Sequence, residues 1–246
     1  MATELQAASL LIVLCALPCV FGDGNSGWSE AHATFYGPPE GTVGGACGLQ
    51  NQKDTYAPYT TALSAALFKN AESCGACYAL RCVNNTGQCK TQNPIIVTAT
   101  DLCPTGDGKW CTPPRAHFDL SMPAYLKIGE YKAGFIHVQY SKVPCSRKGG
   151  ERFTIAGHEY FNLVTVSNVG GSGDVSKVDV EDNADGEKKW VPLKRNWGEK
   201  WETNAPLSGK ALDFKVTTQD GKAVTSRKVA PKSWQYGQTF EGKNSR

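Results

Sequence analysis

The sequence predicts a mainly β protein built as a barrel followed by a sandwich. Three observations carry that reading. All eight cysteines outside the N-terminal leader fall between Cys47 and Cys145. The last hundred residues hold no cysteine, yet they hold four of the six tryptophans: Trp190, Trp197, Trp201 and Trp234. Both halves are divided by Gly, Pro, Asn and Asp into short segments of strand character, with little helix. The first module is therefore expected to be stapled covalently, and the second to be held by packing.

The chain opens on a leader. Ala8 to Cys19 is an apolar run, too short to span a bilayer and of the right length for a signal-peptide core. Cleavage is expected after Gly22, so residues 1–22 are read as a signal peptide. The leader lacks Lys and Arg and contains Glu4, which is atypical. No later stretch has the length and hydropathy of a membrane span, so no stable membrane insertion is expected. The expected location is outside the cell or in its wall.

Secretion decides how the cysteines are read. Of ten, Cys15 and Cys19 leave with the leader and 10 − 2 = 8 remain, an even number in an oxidising compartment. Cys74-Gly75-Ala76-Cys77 has redox or zinc spacing, but half-cystines fit a secreted chain better. The histidines, His32, His117, His137 and His158, are scattered singly, so no metal site is expected. Short loops suggest Cys82–Cys89 and Cys103–Cys111; spacing leaves the other pairings open. Asn84-Asn85-Thr86 is a glycosylation sequon.

In the first module, residues 23–146, Ala31–Tyr36 reads as a strand that ends on the turn-rich Gly37-Pro38-Pro39-Glu40-Gly41. Thr61–Asn70 reads as a short helix with Ala62, Leu63, Ala66 and Leu67 on one face. Tyr78–Cys82 and Ile95–Thr100 read as strands, the latter entered through Pro94. Ser121-Met122-Pro123 reads as a capped helix start and Gly129 as its end. Phe135–Tyr140 is a further strand. The polar Ser146-Arg147-Lys148-Gly149-Gly150 marks the domain boundary. In residues 147–246, the strand candidates are Phe153–Ile155, Tyr160–Val166, Val175–Val180, Lys189–Leu193, Ala211–Thr217 and Ala223–Val229. Pro192 demotes the fourth to an edge strand, and the whole pattern suggests a β-sandwich.

Charge is mild. Residues 27–146 carry nine basic and eight acidic side chains, and residues 147–246 carry seventeen and thirteen. Such a balance does not point to nucleic acid. No cofactor or obligate protein partner is signalled, and a monomer is the default.

The chemistry lies in two segments, Thr98-Ala99-Thr100-Asp101 and Ala116-His117-Phe118-Asp119. Paired carboxylates do general acid/base work on glycosidic bonds, standing roughly 6.5–9.5 Å apart in inverting enzymes. Capping or ion pairing would use the same residues. The wording of the segments sharpens the choice. Gly44-Gly45-Ala46-Cys47-Gly48, Ser73-Cys74-Gly75-Ala76-Cys77, Val97-Thr98-Ala99-Thr100-Asp101 and Trp110 to Leu120 resemble plant expansins, closest to the α type. So do Val143-Pro144-Cys145, Tyr160 to Val164, Arg195-Asn196-Trp197-Gly198 and Gly237-Gln238-Thr239-Phe240.

This resemblance implies a six-stranded double-psi β-barrel related to family-45 glycoside hydrolases, followed by an immunoglobulin-like, cellulose-binding sandwich. It implies a secreted wall-loosening protein that works on cellulose and xyloglucan-type polysaccharides without appreciable hydrolysis. Asp119 falls where those hydrolases carry the general acid. Asp101 stands where α-type members typically carry Asn. Thr34 and Tyr36 resemble the groove lining, and His117 the flank of the acid. Tyr160 and Trp197 resemble an aromatic sugar platform, with Trp201 as a further candidate. Strand alternation puts Tyr160 outward and Phe161 in the core. The pairings implied are Cys47–Cys74, Cys77–Cys145, Cys82–Cys89 and Cys103–Cys111. The hydrolases' catalytic base has no identifiable counterpart. The rival reading is a true endo-β-1,4-glucanase with Asp119 as acid and Asp101 as base; a third is an adhesin with an inert barrel.

Overall fold

The computed structural model describes residues 27–49, 55–83, 87–106, 110–182 and 189–243. The expected leader and the Asn84 sequon lie outside them. The first six strands are β1 (Ser29–Tyr36), β2 (Thr60–Ser64), β3 (Cys77–Cys82), β4 (Ile95–Cys103), β5 (His117–Ser121) and β6 (Ile136–Val143). They close into a barrel in the order β1-β5-β2-β4-β3-β6, with β6 returning to β1. β1 runs parallel to β5, and β2 parallel to β4. This is the double-psi barrel. Leu63, Leu80, Val97, Phe118, Leu120 and Ile136 are fully buried in its core, each stabilising the fold by roughly 1.5–3 kcal/mol.

The helix expected over Thr61–Asn70 is mostly not there. Its first part is β2, and only Ala65–Phe68 forms a single helical turn, α1. Every residue of β2 is buried, because the strand lies between β4 and β5 inside a closed barrel. A strand buried on both faces shows no alternation, so its apolar spacing imitates a helix. The helix after Ser121 does form, as α2 (Met122–Ile128), ending at Gly129. Ser121 does not cap it through its side chain. Its hydroxyl instead donates to Pro58 O at 2.8 Å and accepts from Thr60 N at 3.2 Å. Four disulfides lock this half: Cys47–Cys74, Cys77–Cys145, Cys82–Cys89 and Cys103–Cys111.

The second half is a β-sandwich. Its strands are β7 (Arg152–His158), β8 (Phe161–Ser167), β9 (Val175–Asp182), β10 (Val191–Trp197), β11 (Lys200–Thr203), β12 (Leu212–Thr218), β13 (Ala223–Ala230) and β14 (Thr239–Glu241). They are hydrogen-bonded in the order β13-β12-β9-β10-β11-β8-β7-β14. β10 hands the chain from one layer to the other: Val191–Leu193 pair with β9, and Lys194–Trp197 pair with β11. At Pro192 it is the edge of the β13-β12-β9-β10 layer, as the proline predicts, and it gains a second partner strand only from Lys194 onward. Proline is tolerated because β10 at that level is paired on the β9 side alone. Between the layers, Phe153 stacks on Phe214 with ring centroids 4.4 Å apart.

The two halves meet through a set of polar contacts. Tyr56 donates to Glu199 Oε1 at 2.9 Å, and the Glu199 backbone N–H donates to Cys47 O at 3.0 Å. Arg147 lies over the Tyr56 ring at 4.5 Å and donates to Thr98 Oγ1 and Gly75 O. Lys142 pairs with Asp174 at 2.5 Å. Gly198 adopts φ +58°, and a Cβ there would stand 2.3 Å from Cys47 O. Only glycine allows the backbones to approach this closely.

Candidate functional site

The parallel pairing of β1 with β5 sets Thr34 directly opposite Asp119. Strand β2 then separates the two acidic segments, with Ala62 registered against Asp119 on β5 and against Asp101 on β4. Two strand spacings along the curved barrel wall hold the two aspartate backbones no more than about 9.6 Å apart. Thr34 and Asp119, 85 positions apart in the chain, thus reach one rim of the barrel through register alone.

The two carboxylates have different surroundings. Asp119 Oδ1 accepts from Thr34 Oγ1 at 2.6 Å. Thr34 Oγ1 also lies 2.9 Å from His117 Nε2. With its single hydroxyl proton given to Asp119, Thr34 must accept from His117, so Nε2 carries the imidazole proton. Burial raises the Asp119 carboxyl above the ordinary aspartate range; the Thr34 hydrogen bond opposes the rise and the nearby Asp101 charge adds to it. Burial pushes the His117 imidazole down to about 4, with a further push from His32. The Asp119–Thr34–His117 chain therefore rests on a neutral imidazole above that pH.

Asp101 is committed elsewhere. Oδ1 accepts from Ala46 N at 2.6 Å and from Leu102 N at 2.8 Å, and Oδ2 accepts from Tyr36 OH at 3.2 Å. Three donors on about four lone-pair sites leave little capacity to polarise a water. Burial, aided by the Asp101 charge, raises the Tyr36 phenol, which stays a neutral donor.

A cavity of about 300 Å³ opens beside Asp119, lined by Thr34, His117 and Asp119, by Cys103 and Pro104, and by Trp110 and Cys111. Asp101 is not in its lining. Larger cavities of about 510 Å³ lie elsewhere, one between Gly48 and the outer face of β7, β8 and β11. Among the described residues, no three His, Cys, Asp or Glu side chains converge to hold a metal. No helix among them is long and apolar enough to cross a membrane.

Several expected site residues sit differently from the reading of the sequence. His117 is only 1% exposed; it offers almost no surface and acts on Asp119 through Thr34. Trp201 is 3% exposed in the sandwich core, with the Arg195 guanidinium 4.3 Å from its ring centre. It is not a platform residue, because β11 turns it inward opposite Val164 of β8. Tyr160 is 74% exposed, as expected, but it precedes β8 in the turn. Phe161 is half-buried rather than core and leans on His158. The inward position passes to Asn162, whose amide donates to Ala205 O.

Trp197 is 44% exposed. Its indole N–H donates to Ala46 O and its ring lies 6.0 Å from Phe68, so it also ties the sandwich to the barrel. Register places Trp197 opposite Lys200, itself opposite Thr165, whereas Tyr160 lies beyond Asn162. The two aromatics are thus at least about 10 Å apart along the strands and do not touch. The residue that sequence reasoning passed over is Trp110, which lines the Asp119 cavity although it stands in the same motif as Asp119.

The profile of the Expansin C-terminal domain matches residues 152–231, and that described as Lytic transglycolase, of double-psi barrel type, matches residues 60–140. Expansin-A32 of Oryza sativa subsp. japonica is 49% identical over 224 residues, covering 87% of this chain and 82% of that protein. Expansin-A22 of Arabidopsis thaliana is 43% identical over 226 residues, covering 89% and 80%. The crystal structure of apo Clavibacter michiganensis expansin superposes with a TM-score of 0.68 at 20% identity, covering 88% of this chain and 96% of that one. A point mutant of that protein, solved in complex with cellohexaose, gives 0.66 at 21% identity, covering 87% and 95%. The fold is shared with the bacterial protein, and the identity to the plant proteins across most of both chains decides the family: this chain belongs to the expansins.

Proposed function

We propose that this chain is a secreted protein that loosens plant cell walls by disrupting non-covalent contacts between cellulose and matrix glucans, without appreciable hydrolysis. The observation that carries this reading is the asymmetry of the two aspartates. Asp119 is a half-buried acid with a raised proton affinity, open to a cavity. It can hydrogen-bond or protonate a glycosidic oxygen. Cleavage by inversion needs a second carboxylate to activate water, and Asp101 is held by Ala46, Leu102 and Tyr36. A glucan in the groove is then gripped and its hydrogen bonds to neighbours are contested, while its covalent bonds persist.

The exposed rings of Tyr160 and Trp197 support adsorption, since flat aromatic faces match the apolar C–H faces of sugar rings. The bacterial relative solved with cellohexaose supports β-1,4-glucan as the class of ligand. Within this reading, residues 1–22 are removed on export, the domains divide after Ser146, Asn84 is a candidate glycosylation site, and the protein acts as a monomer. The test is wall extension under load with Asp119→Asn. Loss of extension with retained fold is expected; extension equal to that of the unchanged protein sinks the groove assignment.

A further inference from the structure

Around Trp110 the barrel carries an aromatic cluster that the proposed chemistry leaves unused. The Trp110 ring centre lies 4.5 Å from Phe135, 5.2 Å from His32 and 6.1 Å from His117, and His32 and His137 also meet Phe135 at 5.1 and 5.2 Å. Rings on β1, β5, β6 and the approach to β6 together hold the indole in place. The residue after it is anchored as well: Cys111 is bonded to Cys103 at the end of β4. A tryptophan this well buttressed would ordinarily be core. Trp110 is instead 40% exposed, and it shares the cavity with Asp119.

We propose that Trp110, braced by Phe135 and His32, is a sugar-stacking subsite of the barrel that receives the glucan residue next to the one held at Asp119. This rests on the reading that the groove binds a glucan, and it adds a residue that sets the chain's direction and register. Rigid aromatic faces suit sugars because no rotamer freedom is lost on binding. A cavity of about 300 Å³ is at the small end for ligand sites, fitting a short stretch of chain. Among its described lining residues there is one carboxyl and no Lys or Arg, a lining that suits a neutral polyol. Arg115 lies 5.8 Å from the Trp110 ring centre, outside that lining.

The test uses the full mature chain and cellohexaose. Hydroxyl-radical footprinting should show oxidation of Trp110 falling several-fold on saturation, while buried Trp234 is unchanged. In parallel, Trp110→Leu keeps apolar packing but removes the flat face, and Trp110→Phe keeps a face. Leu should raise the Kd of the protected groove roughly tenfold, about 1.4 kcal/mol, with Phe restoring most of the loss. Protection at Tyr160 without protection at Trp110 overturns the proposal, as does a Leu variant that binds like the parent. Wall extension by Asp119→Asn separates the two layers of inference. If Asp119→Asn is inactive and the Trp110 indole stays unprotected, the subsite alone is wrong. If Asp119→Asn is fully active and Trp110 stays unprotected, the groove reading falls with it.

Discussion

Replacing Glu199 by Gln should flatten the protein's loss of stability between pH 5 and pH 8. Glu199 is buried where the two halves meet, with Tyr56 on Oε1 and no hydrogen bond to Oε2 among the described residues. Burial pushes its carboxyl up from 4.5 to about 8, even though Tyr56, Arg147 and Arg195 all favour the charged form. The folded state therefore holds a proton that the unfolded chain releases above pH 4.5. Stability falls as pH rises wherever the native state binds more protons. Below about pH 4.5 Glu199 contributes no penalty; from there it costs roughly 1.4 kcal/mol per pH unit, levelling near pH 8 at about 5 kcal/mol. Gln imitates the neutral acid and retains an acceptor for Tyr56. Denaturant unfolding of both proteins at pH 4.5, 6 and 8 measures the difference. The curves should coincide at pH 4.5, and Gln should be more stable by several kcal/mol at pH 8. At 2–4 °C per kcal/mol for a chain of this size, the melting temperatures at pH 8 should separate by roughly 10–20 °C. Parallel profiles would refute the argument.

Three further outcomes follow from the site and the core. Activity through protonated Asp119 should decline as pH rises through its elevated titration. Thr34→Val removes the hydrogen bond that holds that titration down, so the declining limb should move to higher pH in a creep assay; movement to lower pH contradicts the relay. Trp201→Ala should cost about 3–5 kcal/mol in unfolding experiments, as expected for a core aromatic, while Tyr160→Ala should change stability by no more than about 0.5 kcal/mol. Tyr160→Ala should instead reduce adsorption to cellulose in a pull-down, and an unchanged bound fraction would remove Tyr160 from the platform.

Much of the architecture is legible in the sequence because its signals are local. Cysteine distribution separates a stapled half from a packed half, and alternation with Gly and Pro punctuation locates most strands. The exceptions have physical causes. β2 passes for a helix because a strand enclosed on both sides has no polar face. Pro192 does mark an edge, since no described strand lies on its β11 side, but the proline gives no sign that β10 crosses into the second layer from Lys194. Asp101 and Asp119 can be picked out as residue types. Their unequal surroundings depend on Ala46 N–H, Leu102 N–H and Thr34; strand register brings Thr34 to Asp119, and the turn before Cys47 brings Ala46 to Asp101. Trp197 and Trp201, four positions apart, meet opposite fates because the β10–β11 connection carries a register shift between Arg195 and Trp197. No propensity scale predicts such a shift.

In the proposed role the barrel grips a glucan through one proton-bearing carboxyl and does not cut it. The most direct measurement is extension of heat-killed walls under constant load, with soluble reducing ends counted in the same bath. The account predicts sustained extension with reducing ends at the level of a protein-free control, and loss of extension in Asp119→Asn. Reducing ends that accumulate in proportion to extension, and vanish in both Asp119→Asn and Asp101→Asn, would identify a glucanase instead.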